Sequence, residues 1–510
     1  MSEAQSQAQP VKQAGSPGKM TEVSLEVGGV HNRDDISWLD LWALNPETRA
    51  YLKSCRRNAA RSHAPQRSEG AGDGSKEIAT PEKLRKLQRA LYHKAKAEPN
   101  YRFWSLYGEL TRLDLLEYAL LLVERNGGAP GIDGQTIESI TAQPETRKRW
   151  LEQWQKELQN KTYRPSPVRR VYIPKGNGGQ RPLGIPTVKD RVVQMAVLLV
   201  LAPIFEADFH PNSFGFRPQR NAHQALDAII SALRKGKLEV VDADLSKYFD
   251  TIPHGRLMEL LARRISDGSV LHLLRQWLDA PIIEEDRDGT RRVLPNKQGV
   301  PQGGVISPLL ANVYLNALDW AVNNTAEPGK PVMVRYADDF VILCEAGQGG
   351  QLVERLRRWL KARGLKLNEE KSRKVHSREG FNFLGFTVRW QPSRRTGRWY
   401  AHAEPNAKSR ERLRERVREE LNHWTMHRPI AGTINDLNRM LRGWSGYFHY
   451  RNSSRAFGKM NQWLGDRLRR WLWRKHNCRK GLWTAYPAEV LYERYGLYWL
   501  PTTVSPRGNQ

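Results

Sequence analysis

Cysteine is scarce in this sequence. Only three cysteines occur among 510 residues, at positions 55, 344 and 478, and none of them forms a close pair in sequence. This scarcity excludes a disulfide-stabilised scaffold and fits a reducing compartment. Long apolar runs are also absent, because no stretch of eighteen apolar residues occurs and the polar N-terminus does not resemble a signal peptide. We therefore predict a cytoplasmic or nucleoid protein with no membrane partner.

Acidic residues are in the minority. The chain has 54 Asp+Glu against 82 Lys+Arg, a formal net charge of +28. Part of the excess is concentrated at 406–480, where 19 Lys+Arg face 6 Asp+Glu. Such a balance predicts a polyanionic partner whose binding weakens with salt. The length allows two to four domains with sizeable cores.

The most informative motif is a pair of adjacent aspartates between apolar stretches. Residues 335–341 read Arg-Tyr-Ala-Asp-Asp-Phe-Val, with apolar residues at 331–334 before the acids and at 340–343 after them. This pattern predicts a β-hairpin with an acidic turn. Buried acids need a neutralising cation, and two Mg²⁺ ions would neutralise them while binding both ends of a phosphoryl transfer. The alternative is an exposed turn.

A second apolar strand also ends in acids. It is predicted at 238–242, and Asp242, Asp244 and Asp250 lie in or after it, Asp244 being 94 residues before Asp338. A two-metal site needs a third carboxylate, which this segment can supply. Because strand side chains alternate between faces, Asp242 and Asp244 share one face, and spacing alone does not choose between them.

Further blocks accompany the acidic ones in a characteristic order. They are Asn-Gly-Gly-Ala-Pro-Gly-Ile-Asp-Gly at 126–134, Ile-Pro-Lys-Gly at 173–176, Arg-Pro-Leu-Gly-Ile-Pro at 181–186, Ser-Phe-Gly-Phe-Arg-Pro at 213–218, Gln-Gly-Val-Pro-Gln-Gly-Gly-Val-Ile-Ser-Pro-Leu-Leu-Ala-Asn at 298–312, Gly-Leu-Lys-Leu-Asn-Glu-Glu-Lys-Ser at 364–372 and Phe-Leu-Gly-Phe at 383–386. From about residue 84 to 480 the chain therefore resembles the reverse transcriptases, specifically those encoded by group II introns with an attached maturase domain.

The resemblance implies an α+β fold: a right-hand polymerase with fingers and an antiparallel palm sheet, followed by an α-helical thumb or maturase domain. It also implies a division of the chain. The expected parts are a partly flexible N-terminal extension at 1–80, the N-terminal block and fingers at 81–235, the palm with the catalytic site at 236–395, the helical thumb or maturase domain at 396–480 and a C-terminal tail at 481–510.

The resemblance also assigns the catalytic acids. The metal-binding acid of the family's first palm strand maps to Asp244, so that Asp244, Asp338 and Asp339 are the expected catalytic ligands of two Mg²⁺ ions. The backbone carbonyl of Leu245 would be a further metal ligand. Phe249 maps to the ring that lies under the incoming sugar and excludes a 2′-OH, although a plain core role is the alternative.

Besides Phe249, four residues are expected to contact the nucleotide. Lys175 and Arg181 flank a Gly-rich turn, and a hairpin there would bring both cations to a triphosphate. A solvated basic loop is the alternative. Gln302 could reach the nucleotide or template through its amide. Lys371 occupies the place where polymerases are thought to keep a general acid for pyrophosphate, and an ordinary surface lysine is the alternative.

The basic segment after Pro392 is expected to bind RNA. Cations and aromatic residues interleave along predicted helices, one of which extends by its spacing from Arg410 to Trp424. A core role is the alternative for any single tryptophan. The residues expected to contact RNA are Arg410, Arg414, Arg418, Arg442, Trp444, Arg470, Arg474 and Lys475.

These expectations define an RNA-directed DNA polymerase. It would use intron RNA as template, a DNA primer or target and dNTPs, would assist splicing and would support intron mobility by target-primed cDNA synthesis. Few residues follow Lys480, so the chain resembles the branch without an endonuclease domain. The alternatives are a domesticated relative in phage defence or repair and a splicing-only RNA-binding maturase. The sequence does not predict the oligomeric state.

Overall fold

The computed structural model describes residues 80–174, 179–286, 288–324 and 329–503. The extension predicted at 1–80 lies almost wholly outside these residues, and so does Lys175. Within the described residues, no helix is long and apolar enough to cross a membrane.

Helices build the N-terminal part. They are α1 (Glu82–Ala97), α2 (Tyr107–Leu110), α3 (Leu113–Asn126), α4 (Ile137–Thr141), α5 (Pro144–Gln159), α6 (Val188–Glu206) and α7 (Ala222–Arg234). Helix α6 is apolar around its circumference and almost completely buried, as expected of a central helix. Its first turn is capped by Thr187, whose hydroxyl accepts a hydrogen bond from the Asp190 backbone. Helices α1 and α3 pack against α6 and cover it.

The described residues form three sheets, the first two of which interleave along the chain. The first has the order β2-β1-β4-β5, from strands Val168–Pro174 (β1), Gln180–Ile185 (β2), Ile282–Glu285 (β4) and Arg291–Leu294 (β5). The second, which we call the palm sheet, has the order β6-β7-β3-β8, from strands Glu239–Ala243 (β3), Val332–Tyr336 (β6), Asp339–Cys344 (β7) and Arg373–His376 (β8). The third has the order β11-β10-β9, from strands Phe381–Phe383 (β9), Phe386–Pro392 (β10) and Trp399–Pro405 (β11).

The palm sheet is antiparallel and is buried on both faces. Its alternate residues enter two different cores, Val241 and Ile342 in one with α6, and Val240 and Val341 in the other with α7 and the C-terminal helices. Two covered faces explain why β6 and β7 are largely apolar rather than alternating, with Asp338 and Asp339 at the tip between them. The edge strand β8 is polar and partly exposed. The remaining helices of this region are α8 (Tyr248–Thr251), α9 (His254–Ala262), α10 (Gly268–Asp279), α11 (Ser307–Asn323) and α12 (Gly349–Lys361).

The C-terminal helices share the second core. They are α13 (Ala407–Glu420), α14 (Ile430–Phe448), α15 (Ser454–Lys475) and α16 (Leu482–Ala485), with a 3₁₀ turn at His423–Thr425 and a π turn at Val490–Arg494. The boundary predicted at residue 395 falls in the turn of the β10–β11 hairpin, so the helical region begins later. The segment after residue 480 is more than a tail, because Leu491 and Leu500 are fully buried in the second core.

One predicted helix is shorter than its spacing suggested. Helix α13 ends at Glu420, and Leu421 already leaves the helical conformation. Trp424 therefore does not continue the face that begins at Arg410 but lies in the loop that follows the helix. Asn422 explains the break, since its side chain accepts a hydrogen bond from the Thr425 backbone and starts the separate 3₁₀ turn.

Candidate active site

The two adjacent aspartates lie at the tip of the β6–β7 hairpin. Tyr336 pairs with Asp339, which leaves Ala337 and Asp338 as a two-residue turn. Ala337 has a φ of 59°, a left-handed conformation that turns of this kind require at their first central position. Gly215 packs directly against this turn, and a Cβ there would lie 2.2 Å from the Ala337 nitrogen. A glycine is needed because any side chain would displace the turn.

The buried guanidinium of Arg335 holds the turn in place. Arg335 is 0% exposed and donates to both carboxylate oxygens of Asp319, from Nε at 2.8 Å and from Nη2 at 2.5 Å. Its Nη1 donates to the Ala337 carbonyl at 2.9 Å and to the Asn312 Oδ1 at 2.8 Å. Asn312 in turn donates to the Gly215 carbonyl at 2.9 Å. This network ties helix α11 to the turn and to its neighbouring segment.

These supporting residues were not among the predicted site residues. A visible signal existed, because Arg335 interrupts an apolar strand and Asp319 interrupts an apolar helix sixteen residues earlier. A buried Arg needs a carboxylate partner, so each of these two residues predicts the other.

Asp244 directly follows β3, beside the hairpin. Ala243 pairs with Phe340, so the end of β3 lies next to the start of β7. The Asp244 Oδ2 accepts from Asn368 Nδ2 at 3.0 Å and from Lys371 Nζ at 3.1 Å. Its backbone is also held, since its N–H donates to Ser372 Oγ at 3.1 Å and its carbonyl accepts from the Asn368 N–H at 2.8 Å. The block at 364–372 therefore fixes Asp244, a role that sequence analysis did not give to Asn368 or Ser372.

The backbone next to Asp244 is held by the same block. Leu245 forms an isolated antiparallel bridge with Leu367, and its side chain is buried. The rival acid Asp242 lies inside β3, where it forms an ion pair with Arg373 Nε at 3.3 Å across the sheet. The two acids thus share a strand face but differ in surroundings.

The acids of the site influence one another. Burial raises the pKa of Asp338, and the negative charge of Asp244 raises it further, while Arg181 and Arg335 oppose the shift. Asp339 remains in contact with solvent, yet desolvation by the surrounding protein and the charges of Asp338 and Asp244 raise its pKa to about 7. The three carboxylates therefore share one region of high negative charge.

A hard divalent cation is the type of ion that such oxygens bind. The donor set fits it chemically, because a cation would offset the repulsion that raises the pKa values of Asp338 and Asp339. In the side-chain arrangement of the described residues, no group of three or more His, Cys, Asp or Glu is gathered closely enough to hold an ion.

Of the predicted nucleotide contacts, Arg181 and Lys371 interact with the acids of the site, and Lys175 lies outside the described residues. Arg181 lies on β2, opposite Ile173 in the β1–β2 hairpin, and its charge lowers the pKa of Asp338. The Gln302 amide reaches towards the Asp250 carboxylate, 3.5 Å from each oxygen. Lys371 is exposed and bonded to Asp244, as described above.

Two glycines bring the 181–186 and 298–312 blocks together. The Gly184 N–H donates to the Gln302 carbonyl at 2.7 Å, and a Cβ on Gly303 would lie 2.5 Å from the Gly184 oxygen. The same block reaches the palm, because the Val300 N–H donates to the Phe249 carbonyl at 2.7 Å. Phe249 itself is half-buried, with its ring packed on the first core and 5.5 Å from the Tyr248 ring.

The residues expected to contact RNA fall into two groups. In the first group, the side chains have partners within the protein. Arg414 and Arg418 pair with Glu411 and lie over the Trp463 ring. Lys475 donates to the Met426 and Arg428 carbonyls, and Trp444 packs on Phe448 and Phe457. Arg442, Arg470 and Arg474 are exposed, and Arg410 is half-exposed.

Two protein families match successive regions of the chain. The model for reverse transcriptase (RNA-dependent DNA polymerase) matches residues 173–388, and the model for the group II intron maturase-specific domain matches residues 409–486. Protein YkfC from Escherichia coli K12 is 37% identical over 345 residues, which cover 59% of this chain and 87% of YkfC. Group II intron-encoded protein LtrA from Lactococcus lactis is 38% identical over 220 residues, 42% of this chain and 35% of LtrA. The matched region thus spans most of YkfC but about a third of LtrA.

Proposed function

Because this chain belongs to the family of group II intron reverse transcriptases and maturases, we propose that it synthesises DNA on an RNA template and that it binds intron RNA to assist splicing and mobility. The observation that supports the catalytic part is the position of Asp244, Asp338 and Asp339 at neighbouring strand ends, where desolvation and the negative charges of the neighbouring acids raise the pKa values of Asp338 and Asp339. A protein that only bound RNA would have no use for three convergent acids.

The three aspartates and the Leu245 carbonyl would hold two Mg²⁺ ions. When bound, the ions stabilise the attacking 3′-oxygen of the primer and the leaving oxygen of pyrophosphate. Arg181, and with it Lys175, which the sequence places just after β1, would bind the triphosphate, since a guanidinium offers a fork and an ammonium a point charge to phosphate oxygens. Lys371, bonded to Asp244 in this structure, would turn to the pyrophosphate and donate a proton to it.

Two further residues would select the substrate. Phe249 would lie under the sugar of the incoming dNTP and reject a 2′-OH by contact, a role supported by its half-exposed ring. Gln302 would exchange its long contact with Asp250 for the nucleotide or the template base. The backbone joins these two residues, because the loop of Gln302 is bonded to the Phe249 carbonyl through Val300.

Asp338→Asn tests the catalytic assignment. We expect it to abolish Mg²⁺-dependent primer extension on an RNA template and to leave RNA affinity nearly unchanged, because the basic surfaces that bind phosphates are elsewhere. Asp242→Asn is the matched control: this neighbouring acid is paired with Arg373, and its variant should retain most of the activity. Extension by the Asp338 variant near the wild-type rate would refute the two-metal assignment, and equal loss in both variants would show a general effect of charge.

A further inference from the structure

The loop between α13 and α14 presents an unusually exposed indole. Trp424 is 80% exposed, more than any other large apolar residue of the described part of the chain, and the His423 ring lies beside its ring. Single exposed apolar residues are common and need no function. Trp424 differs because of how its loop is held and what surrounds it.

Side chains of α15 hold this loop in place. Arg467 donates to the Leu421 carbonyl at 2.9 Å, and the Trp471 indole donates to the Asn422 carbonyl at 3.1 Å. Lys475 donates to the Arg428 carbonyl at 3.0 Å, on the far side of the 3₁₀ turn. The loop is thus anchored before and after Trp424. An anchored aromatic ring loses little conformational entropy when it binds a partner.

Four arginines lie on the helices beside the loop. Arg467, Arg470 and Arg474 lie on one face of α15 by their helical spacing, and Arg418 lies over the Trp463 ring, one turn before Arg467. Burial and then the positive charges of Arg418, Arg474 and Arg470 lower the pKa of Arg467. Arg470 and Arg474 are exposed, and Arg467 Nε has no hydrogen-bond partner among the described residues. Arg418 has one carboxylate partner, Glu411, so the cluster keeps a large net positive charge.

We propose that Trp424 and the cluster of Arg418, Arg467, Arg470 and Arg474 form a binding site for single-stranded RNA, in which an unpaired base stacks on the indole and the arginines contact the flanking phosphates. The charge selects a polyanion, and the free indole face selects a flat ring, which an unpaired base offers and a duplex or an acidic peptide does not. That the polyanion is RNA rests on the proposed function.

The test compares full-length variants on two RNA probes. The probes are an unstructured 12-nucleotide RNA and a blunt RNA duplex of the same length, each titrated at several salt concentrations. Stacking of one base contributes about 1–3 kcal/mol, so Trp424→Ala should weaken single-strand binding about 5- to 150-fold and change duplex binding little. Trp424→Phe should recover most of the affinity. Trp104→Ala, the removal of another highly exposed indole (70%), is the matched control and should have no effect.

The salt dependence separates the indole from the arginines. Trp424→Ala should leave the slope of log affinity against log salt unchanged, because stacking releases no counterions. Arg470→Gln with Arg474→Gln should flatten the slope by about 0.7 for each phosphate that the variant no longer neutralises. Thermal unfolding should be unaffected by Trp424→Ala, since the ring is exposed.

Several results would overturn the site. They are unchanged single-strand affinity of Trp424→Ala, equal weakening on the duplex, or an equal effect of Trp104→Ala. Competition by poly-glutamate that is as strong as competition by the RNA, and that disappears in Trp424→Ala, would show that the site binds acidic protein segments instead. Mg²⁺-dependent primer extension by the wild-type protein, measured in the same preparation, distinguishes failure of this site from failure of the proposed function.

Discussion

Removal of the Asp319 carboxylate should destabilise the protein and misplace the catalytic turn. Asp319 accepts both hydrogen bonds of the Arg335 fork, and each side chain is 1% exposed. In Asp319→Ala the guanidinium would stay buried without its counter-charge. Loss of one partner from a buried ion pair costs about 3–5 kcal/mol. Arg373→Ala, which breaks the half-exposed pair with Asp242, is the control and should cost about 1 kcal/mol or less.

Stability and catalysis can be separated with a double variant. Apolar replacement of a buried pair is often neutral for stability, so Asp319→Leu with Arg335→Met should recover most of the unfolding free energy. It would not recover the hydrogen bond from Arg335 to the Ala337 carbonyl, which holds the turn that carries Asp338. A displacement of about 1 Å can reduce a rate about 100-fold, so the double variant should remain slow.

Denaturant unfolding measures the loss of stability, and single-turnover primer extension measures the loss of catalytic rate. The expected pattern is a large loss of both in Asp319→Ala, and recovery of stability alone in the double variant. Wild-type extension rates in the double variant would refute the view that Arg335 positions the turn. A loss below about 1 kcal/mol in Asp319→Ala would refute the buried ion pair itself.

Three other perturbations have defined outcomes. Phe249→Val should lower the ratio of kcat/KM for dNTP over rNTP, because the smaller side chain leaves room for a 2′-OH, and an unchanged ratio would return Phe249 to a packing role. The pKa of Asp339 is raised from 3.8 to about 7, so the folded state holds this proton more tightly than the unfolded state. In EDTA, the stability of the fold should therefore decline as pH rises from about 4 to about 7, and thermal melts of Asp339→Asn should lack this decline. Gly215→Ala should slow primer extension about 100-fold by displacing the turn, whereas Gly255→Ala, whose Cβ would meet nothing within 4 Å, should not.

The strands that carry the acids could be predicted because their signals are local. An apolar run of strand length that ends in acids has few alternatives, and strands β3, β6 and β7 lie where these runs occur. The resemblance supplied the order of the blocks and the choice of Asp244 over Asp242. Spacing could not make that choice, because both acids occupy one strand face and differ only in long-range partners, Arg373 for one and Asn368 with Lys371 for the other.

The C-terminal part was predicted less well for the same physical reason. Cations and aromatic residues at helical spacing suggested that Arg414 and Lys475 face RNA, yet Arg414 pairs with Glu411 beside the Trp463 ring and Lys475 donates to backbone carbonyls of the same domain. Helical spacing shows which residues share a face but not what that face touches. Helical spacing also failed to predict the surroundings of Trp424, because the helix ends before this residue and leaves it exposed in a loop.

The glycine-rich blocks occupy the points where backbones meet. Gly215 lies against the catalytic turn, Gly303 against the Gly184 carbonyl, and Gly299 against the Asp250 carbonyl, each with less than 3 Å for an added Cβ. Loops that approach so closely have no room for side chains, so glycine occupies these positions. The buried polar residues that hold the turn do not require glycine. In the sequence they are visible only as charged residues within apolar segments, Arg335 in a strand and Asp319 in a helix. A search for charges that interrupt apolar segments would therefore find the second layer of the site, as a search for glycine-rich blocks finds the first.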